Sequence, residues 1–294
     1  MSRQLEFLIG DEFDGKKIQS FLRGHLKMSA RLVTSLKRIE NGILLNGCHA
    51  RTIDIMKKGD VLTLSIPDEE PTVIPSGEMP EIIYEDSDIL VINKPALMPM
   101  HPSHNHLEGT LANSVAAYLL SKGKAAAFRA VGRLDRGTSG LVICALNRFA
   151  AAALSGNVEK EYLCIAEGIF EGSGTIDKPI YKPDPMKTLR AAGERKDAVP
   201  AVTHWESVLT GKGHSLLRIR LETGRTHQIR VHFASMGAPL AGDDMYGGST
   251  ELISRPALHC SKASFIHPVT RASLTFCVPV PEDFEKLREY ISSP

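Results

Sequence analysis

The sequence predicts an α+β protein: a mixed, largely antiparallel sheet with flanking helices and a central cleft, preceded by a small α/β N-terminal domain. Three observations support this fold class. The 294 residues exceed the ~100–200 that are typical of one domain. Short apolar runs bounded by turn residues are interleaved with segments of helical periodicity. A proline-rich, acidic stretch separates a basic N-terminal region from the rest of the chain.

The N-terminal region is predicted to contain two short helices and a β-ribbon. Apolar residues recur at helical spacing within 18–26. Ser29 is the predicted N-cap of a second helix over 30–41, and Gly42 is expected to end it in a left-handed conformation. The apolar runs ILLNG and DVLTLSIP then predict the two strands of the ribbon.

Charge divides the chain at the same place. Residues 12–66 hold ten Lys and Arg against five Asp and Glu, a net charge of +5, whereas the whole chain carries +1. This asymmetry indicates either a basic binding module or a solvated basic face. Residues 67–80 contain four prolines and four acidic residues, which favours a stiff linker. We therefore predict domains over 1–67 and 81–294, joined by a linker over 68–80.

Strands and helices alternate in the larger domain. Thr110 is the expected cap of its first helix, Gly237 should end a later one, and Pro281 should begin the last. The predicted segments in chain order are a hairpin IIYEDSDILVINKP, a helix GTLANSVAAYLL, a strand LVICAL, a helix NRFAAAALSG, strands KEYLCIAEG, THWESVL and HSLLRIRLE, a helix THQIRVHFASMG, a strand LTFCVPV and a helix PEDFEKLREYIS.

Several classes of protein are disfavoured. No apolar run approaches the ~20 residues that span a bilayer, and the N-terminus lacks a secretory-signal pattern. The five cysteines are scattered with no C-x-x-C pair, which predicts free thiols in a reducing cytoplasm rather than a zinc or redox site. No dinucleotide fingerprint, P-loop or metal-ligand cluster is present. We therefore expect no cofactor, no metal and no membrane association.

Two polar stretches are candidates for the chemistry. GRLDRGTSGL, residues 132–141, places Asp135 between Arg133 and Arg136 in a glycine-rich loop. Such a carboxylate either ties its own arginines together or is held ionised as a nucleophile or base. ETGRTHQIRVH, residues 222–232, places Arg225 just ahead of a predicted helix, where it could meet a carboxylate or a phosphate. The alternative for this stretch is an amphipathic helix with a basic surface.

Together these stretches resemble the RluA-type pseudouridine synthases, which isomerise uridine in structured RNA. The resemblance spans about residues 80–280. Its motifs are N-K-P to H-P (Asn93–Pro95, His101–Pro102), R-L-D-x-x-T-S-G-L (Arg133–Leu141), K-x-Y (Lys160–Tyr162), T-G-R-T-H-Q-I-R-V-H (Thr223–His232) and G-x-P-L-x-G-D-x-x-Y (Gly237–Tyr246).

The N-terminal region resembles the small RNA-binding domain first known from a ribosomal small-subunit protein, through Ser29–Arg31, Asn41–Gly47 and Lys58–Leu62. The larger domain departs from its family at two positions. Gly132 stands where the family has His, and Gly137 where an acidic residue is frequent. We interpret both as changes in loop rigidity or RNA contact.

The resemblance implies a set of site residues. Asp135 would be the catalytic carboxylate, adding to the anomeric carbon of the ribose or removing a proton from the neighbouring carbon. Arg225 would lie within salt-bridge distance of Asp135, and Tyr162 would stack on the uracil. Arg133 would hold the loop or fill the space of the extruded base. The expected RNA-phosphate contacts are Arg31, Lys37 and Arg38 in the N-terminal region and Lys94 and Arg230 in the larger domain.

The resemblance thus predicts a monomeric, cytoplasmic isomerase that needs no cofactor and acts on ribosomal or transfer RNA. One alternative is a non-catalytic RNA-binding or ribosome-assembly factor on the same fold. An RNA methyltransferase would need a glycine-rich strand–helix site, which the sequence lacks.

Overall fold

The computed structural model describes residues 3–67, 69, 72–103, 107–124 and 127–293. Its helices are α1 (Ile18–Ser20), α2 (Ala30–Leu36), α3 (Leu111–Ser121), α4 (Arg148–Leu154), α5 (Gln228–Ala234) and α6 (Glu282–Ser292). Its strands are β1 (Arg3–Leu8), β2 (Ile43–Leu45), β3 (Cys48–His49), β4 (Val61–Ile66), β5 (Glu81–Glu85), β6 (Ile89–Lys94), β7 (Arg129–Val131), β8 (Ser139–Ala145), β9 (Val158–Glu167), β10 (Ser173–Asp177), β11 (Ile180–Tyr181), β12 (Ala191–Ala192), β13 (Val202–Gly211), β14 (His214–Leu221), β15 (Leu258–Ile266) and β16 (Ser273–Cys277).

The N-terminal residues 3–66, here called the head, form a four-stranded antiparallel sheet in the order β1-β4-β2-β3. β1 was not predicted from sequence; it pairs along its whole length with β4. After α1 the first predicted helix continues as a π-helical turn over Phe21–His25. The sheet and these helices enclose a separate apolar core.

The second helix of the head is partly as predicted. Ser29 caps α2, its hydroxyl accepting from the Leu32 N–H at 3.1 Å. The helix ends at Leu36, five residues earlier than expected. The left-handed conformation falls on Asn41 (φ 59°) and not on Gly42. Gly42 is required for a different reason, because a Cβ there would lie 2.1 Å from the Leu36 carbonyl oxygen.

The larger domain, residues 81–293, is built on one mixed sheet in the order β10-β13-β14-β9-β15-β8-β6-β5, with β16 paired to β15 and β7 to β8. Among the described strands only β8 and β15 pair in parallel. All seven residues of β8 are buried, as the continuous apolar run predicted for an interior strand. The predicted α+β class with a largely antiparallel sheet is confirmed.

Helices flank this sheet and begin where their caps predict. Thr110 and Asn113 form a reciprocal capping box at the start of α3. Pro281 immediately precedes α6. Together with α4 these helices cover the sheet and leave a cleft at the ends of β7 and β9.

The head is docked firmly on the larger domain. Phe149, from α4, is 2% exposed and belongs to the apolar core of the head. The Arg3 guanidinium pairs with Asp88 at 2.8 Å, and Asp88 also accepts from the Asn147 amide. These contacts fix the orientation of the head relative to the cleft.

The predicted linker lies partly outside the described residues, at Asp68, Glu70 and Pro71. Its described part contacts the larger domain rather than acting as a free spacer. Glu69 forms ion pairs with Arg129 and Arg148. Further along, the Asn113 side chain donates to the Ile74 carbonyl at 2.8 Å. No helix in the described residues is long and apolar enough to cross a membrane.

Candidate active site

Asp135 lies at the mouth of a cleft of about 1830 Å³ that runs from the larger domain to the head. It belongs to the loop between β7 and β8, where buried Leu134 anchors one side and the Thr138 N–H donates to the Asp135 carbonyl. Its side chain is 15% exposed, so the carboxylate faces the cleft without being fully solvated.

Two buried cations hold the backbone of this loop. The Lys94 ammonium, 0% exposed, donates to the carbonyls of Pro95 (2.8 Å), Met98 (2.9 Å) and Arg136 (3.4 Å). Arg255 donates to the Gly137 carbonyl at 3.2 Å and is itself held by a bidentate pair with Asp283. The loop that carries Asp135 is therefore fixed through its main chain, which leaves the Asp135 carboxylate to other partners.

The expected phosphate contact from Lys94 is thus wrong, because its ammonium is enclosed by carbonyl oxygens. Burial lowers its pKa to about 7, and the charge on Arg255 acts in the same direction. The burial of Lys94 was not predicted from the sequence, because a lysine at a strand end ordinarily lies on the surface.

Glycine at the start of β8 allows a close approach of two strands. Gly140 has φ +107°, and a Cβ there would lie 2.3 Å from the Cys260 carbonyl oxygen on β15. Any other residue would force apart the parallel pair that follows the Asp135 loop.

The cation beside Asp135 is Arg230, not Arg225. Arg230 Nη1 lies 3.4 Å from Asp135 Oδ2. Its Nε and Nη2 donate to the two oxygens of Asp243, both at 2.7 Å, and Asp243 has no exposed side-chain surface. Burial opposes the charge on Arg230, but the hydrogen bonds and charge of Asp243 outweigh it and raise the pKa of the guanidinium.

This arrangement corrects two expectations. Arg225 is exposed and anchored by Nε to the Pro200 carbonyl at 3.0 Å, away from Asp135. Arg230 is 6% exposed and occupied by carboxylates, so it does not serve RNA phosphates. The start of helix α5 explains why Arg230, and not Arg225, reaches Asp135. α5 starts at Gln228 rather than Thr226, since His227 adopts φ +59° and the Gln228 side chain accepts from the Arg225 N–H.

His227 and Tyr246 complete the surroundings of the carboxylate. His227 Nε2 lies 3.9 Å from Asp135 Oδ2, and its Nδ1 lies 3.0 Å from the Tyr246 hydroxyl. Burial lowers the pKa of His227 against the opposing pull of Asp135, which favours a neutral ring at neutral pH. Neither residue, nor Asp243, was assigned from sequence. The G-x-P-L-x-G-D-x-x-Y motif contains both Asp243 and Tyr246 and was the available signal.

Tyr162 lines the same cleft from β9 and is 8% exposed. Burial raises its pKa well above the usual value, with Cys260 and Asp135 contributing, so the hydroxyl is neutral. Asp135, Tyr162 and Arg230 thus all line the same cleft.

Arg133 and Gly132 lie at the rim. Arg133 is exposed and lines the cleft. Gly132 has φ +78°, and the nearest atom to a Cβ there is Lys160 Nζ, at 3.7 Å. At the position where the family has His, this protein therefore has space for a side chain, and the ammonium of Lys160 borders that space.

The wall of the cleft carries an excess of positive charge. Its Lys and Arg residues number eight against four Asp and Glu. The cationic members are Lys27, Arg133, Lys160, Arg220, Arg225, Arg230, Lys262 and Arg271. The head contributes Phe7, His25, Leu26 and Lys27, none of which the sequence predicts as a site residue. Arg31, Lys37 and Arg38 are exposed on the head but do not line the cleft.

Asp86, Asp88 and His267 place their ligand atoms within 4.8 Å of one another near the head. Each already has a protein partner. Asp88 is held by Arg3, and His267 Nε2 lies 2.9 Å from Asp86. The cluster is explained by docking of the head.

Comparison with known proteins agrees with this geometry. Residues 88–235 match the family model described as RNA pseudouridylate synthase. The chain is 37% identical over 275 residues to a Bacillus subtilis (strain 168) protein named uncharacterized RNA pseudouridine synthase YjbO, covering 90% of this chain and 95% of the relative. It is 36% identical over 266 residues to ribosomal large subunit pseudouridine synthase D of Xanthomonas campestris pv. campestris, covering 83% and 79%. The solved structure of human RNA pseudouridylate synthase domain containing 1 is similar with a TM-score of 0.58 at 26% identity, over 70% of this chain and 86% of that one.

The matched family model and the named relatives place the chain in the class of RNA-modifying isomerases. The chain belongs to the RNA pseudouridylate synthase family. Its activity is the isomerisation of uridine to pseudouridine in RNA, as expected from the motifs, and the alternative of a non-catalytic assembly factor is set aside.

Proposed function

We propose that Asp135 is the catalytic carboxylate of this isomerase. The observation that carries the proposal is the buried Asp243–Arg230 pair, which presents a fixed guanidinium to Asp135 at the cleft wall. Isomerisation breaks the glycosidic bond, turns the uracil and joins its carbon 5 to the same ribose. Whether the carboxylate adds to the anomeric carbon or takes a proton from its neighbour, it must be ionised and close to the ribose.

Arg230 supports this role by orienting the carboxylate. Because Asp243 fixes Arg230 from the far side, the guanidinium cannot turn away when substrate enters. Tyr162, whose neutral hydroxyl lines the cleft, is suited to stack on the uracil and to assist proton movement at carbon 5.

A uridine in folded RNA must leave its stack to reach Asp135, at a cost of a few kcal/mol. Phosphate contacts along the basic cleft would offset this cost, and exposed Arg133 at the rim is suited to fill the vacated space. The head would add contacts through Arg31, Lys37 and Arg38, all exposed. In this proposal residues 1–67 act as an RNA-binding domain, held at a fixed angle to the cleft.

We further propose large-subunit ribosomal RNA as the substrate, supported by the name of the Xanthomonas relative. A monomer is consistent with a cleft completed within one chain. The described cysteines are all free and three are buried, which supports a reducing cytoplasm.

The proposal is tested by mapping pseudouridine in total RNA from a strain that lacks the gene. At least one site in large-subunit ribosomal RNA should be lost and restored by the wild-type gene but not by Asp135→Asn. Loss of a transfer-RNA site instead would correct the substrate. Restoration by Asp135→Asn would refute the catalytic assignment.

A further inference from the structure

A second, smaller cavity of about 260 Å³ adjoins the catalytic cleft. It lies between the β11–β12 hairpin and the turn before α5. Arg225 and Thr226 line both cavities, so the smaller one lies directly beside the cleft. Ile180 and Val199 form part of its apolar wall.

Three cations line this cavity, and in the described chain none of them pairs with a carboxylate. Lys182 donates to the Pro185 carbonyl. Arg190 donates through Nη1 to the Thr188 and Leu189 carbonyls, and Arg225 through Nε to the Pro200 carbonyl. These bonds leave Nη2 of Arg190 and both Nη atoms of Arg225 without a protein acceptor among the described residues.

The acidic residue at the cavity does not neutralise these cations. Asp197 is engaged by the Nε of Arg195, at 2.7 Å. Arg195 also lies over the Tyr181 ring, 4.8 Å from its centroid. The cavity therefore presents three charges and several free guanidinium donors to whatever enters it.

We propose that this cavity is a subsite for one backbone phosphate of the RNA, next to the nucleotide held at Asp135. The inference rests on the proposed function. Paired Nη donors of arginine match the oxygens of a phosphodiester, and lysine adds a point charge. Because the cavity shares Arg225 and Thr226 with the cleft, a phosphate of the bound strand is favoured over a separate ligand.

The subsite is linked to the carboxylate by a short series of contacts. The Arg190 N–H donates to the Tyr246 hydroxyl at 3.0 Å, and that hydroxyl lies 3.0 Å from His227 Nδ1. His227 Nε2 lies 3.9 Å from Asp135. A phosphate held here sets the register of the strand relative to Asp135, so Arg190 and Lys182 act by positioning and Arg225 joins them.

The test compares single Ala variants of Lys182, Arg190 and Arg225 with Lys187→Ala. Lys187 is the matched control, since it is an exposed cation on the same β11–β12 hairpin but lines neither cavity. Equilibrium binding and pseudouridine formation are measured on unmodified large-subunit ribosomal RNA transcribed in vitro, at several salt concentrations.

Each subsite variant should raise Kd and KM about tenfold, the effect of losing one charge-assisted hydrogen bond. The turnover number should stay within about twofold, because the lost contact stabilises the bound substrate and the transition state equally. The Lys182/Arg190 double variant should lower the slope of log affinity against log salt by about 0.7–0.9, one phosphate. Lys187→Ala should leave binding and slope unchanged.

Subsite variants whose binding and slope match those of Lys187→Ala would overturn the subsite. This result is independent of catalysis. If the subsite variants weaken binding and lower the slope while the wild type forms no pseudouridine on this transcript, the phosphate subsite is supported and the proposed substrate is refuted.

Discussion

Two aspartates flank Arg230, and replacing each by Asn should give opposite results. Asp135 contributes one ion pair, at 3.4 Å, from a side chain that is 15% exposed. Pairs with solvent access contribute about 0–1 kcal/mol. Asp135→Asn should therefore change the free energy of unfolding by less than about 1 kcal/mol, because Arg230 keeps both bonds to Asp243.

Asp243→Asn should behave differently. Asp243 has no exposed side-chain surface and accepts two bonds at 2.7 Å from Arg230. Breaking a buried pair on one side costs about 3–5 kcal/mol, because the remaining charge stays buried. Activity should fall by about 10–100-fold, the effect of a misplaced catalytic group.

For activity the order of the two variants is reversed, and Asp135→Asn should have the larger effect. Asp135→Asn should lower single-turnover pseudouridine formation by about 10⁴-fold or more, since both possible roles need the carboxylate. Release of tritium from carbon 5 of labelled uridine measures the rate, and urea unfolding measures stability. A near-normal rate for Asp135→Asn, or an Asp243→Asn protein as stable as the wild type, would refute this account of the site.

Three further predictions concern the supports of the site. For Lys94, the unfolded state binds more protons than the folded state between pH about 7 and 10.5. The stability of the wild type relative to Lys94→Met should therefore rise across that range, by about 3–5 kcal/mol; urea unfolding at several pH values would contradict this if the difference stayed constant or fell. Gly140→Ala should destabilise the fold by about 2–5 kcal/mol through strain and overlap with the Cys260 carbonyl, and an unchanged melting temperature would disprove the close approach. Replacing Arg31, Lys37 and Arg38 by Gln should lower the salt slope of RNA binding by about 0.7–0.9 per phosphate lost, whereas Arg51→Gln, whose cation already pairs with Asp54, is the control; equal slopes for the two proteins would remove the head from RNA binding.

The local structure was largely determined by the sequence itself. Ser29 and Thr110 cap their helices as predicted, because each offers a side-chain oxygen to an unpaired backbone N–H. The predicted apolar strand LVICAL lies, except for its last residue, in the buried strand β8. The motifs around Asp135 and Tyr162 also placed both residues on the cleft. These features depend on short-range periodicity and capping, which can be recognised in the sequence without knowing the fold.

The first strand of the head and the contacts of the linker could not be predicted from the sequence. β1 carries no distinctive pattern of its own, and its pairing with β4 depends on contacts about sixty positions away. Glu69 of the linker pairs with Arg148 of the larger domain, and Phe149 of that domain packs in the apolar core of the head. The head is therefore docked on the larger domain and is not a separate module on a spacer.

Only the tertiary structure decided the partner of the Asp135 carboxylate. Asp135 and Arg230 are 95 positions apart, and Arg225 precedes Arg230 by barely more than one helical turn. The choice between them follows from the left-handed His227, which delays α5, and from Asp243, which holds Arg230 in place. Lys94 was misjudged for the same reason. A sequence shows which side chains carry charge, but burial and distance between remote segments determine which charges meet each other and which remain for the RNA.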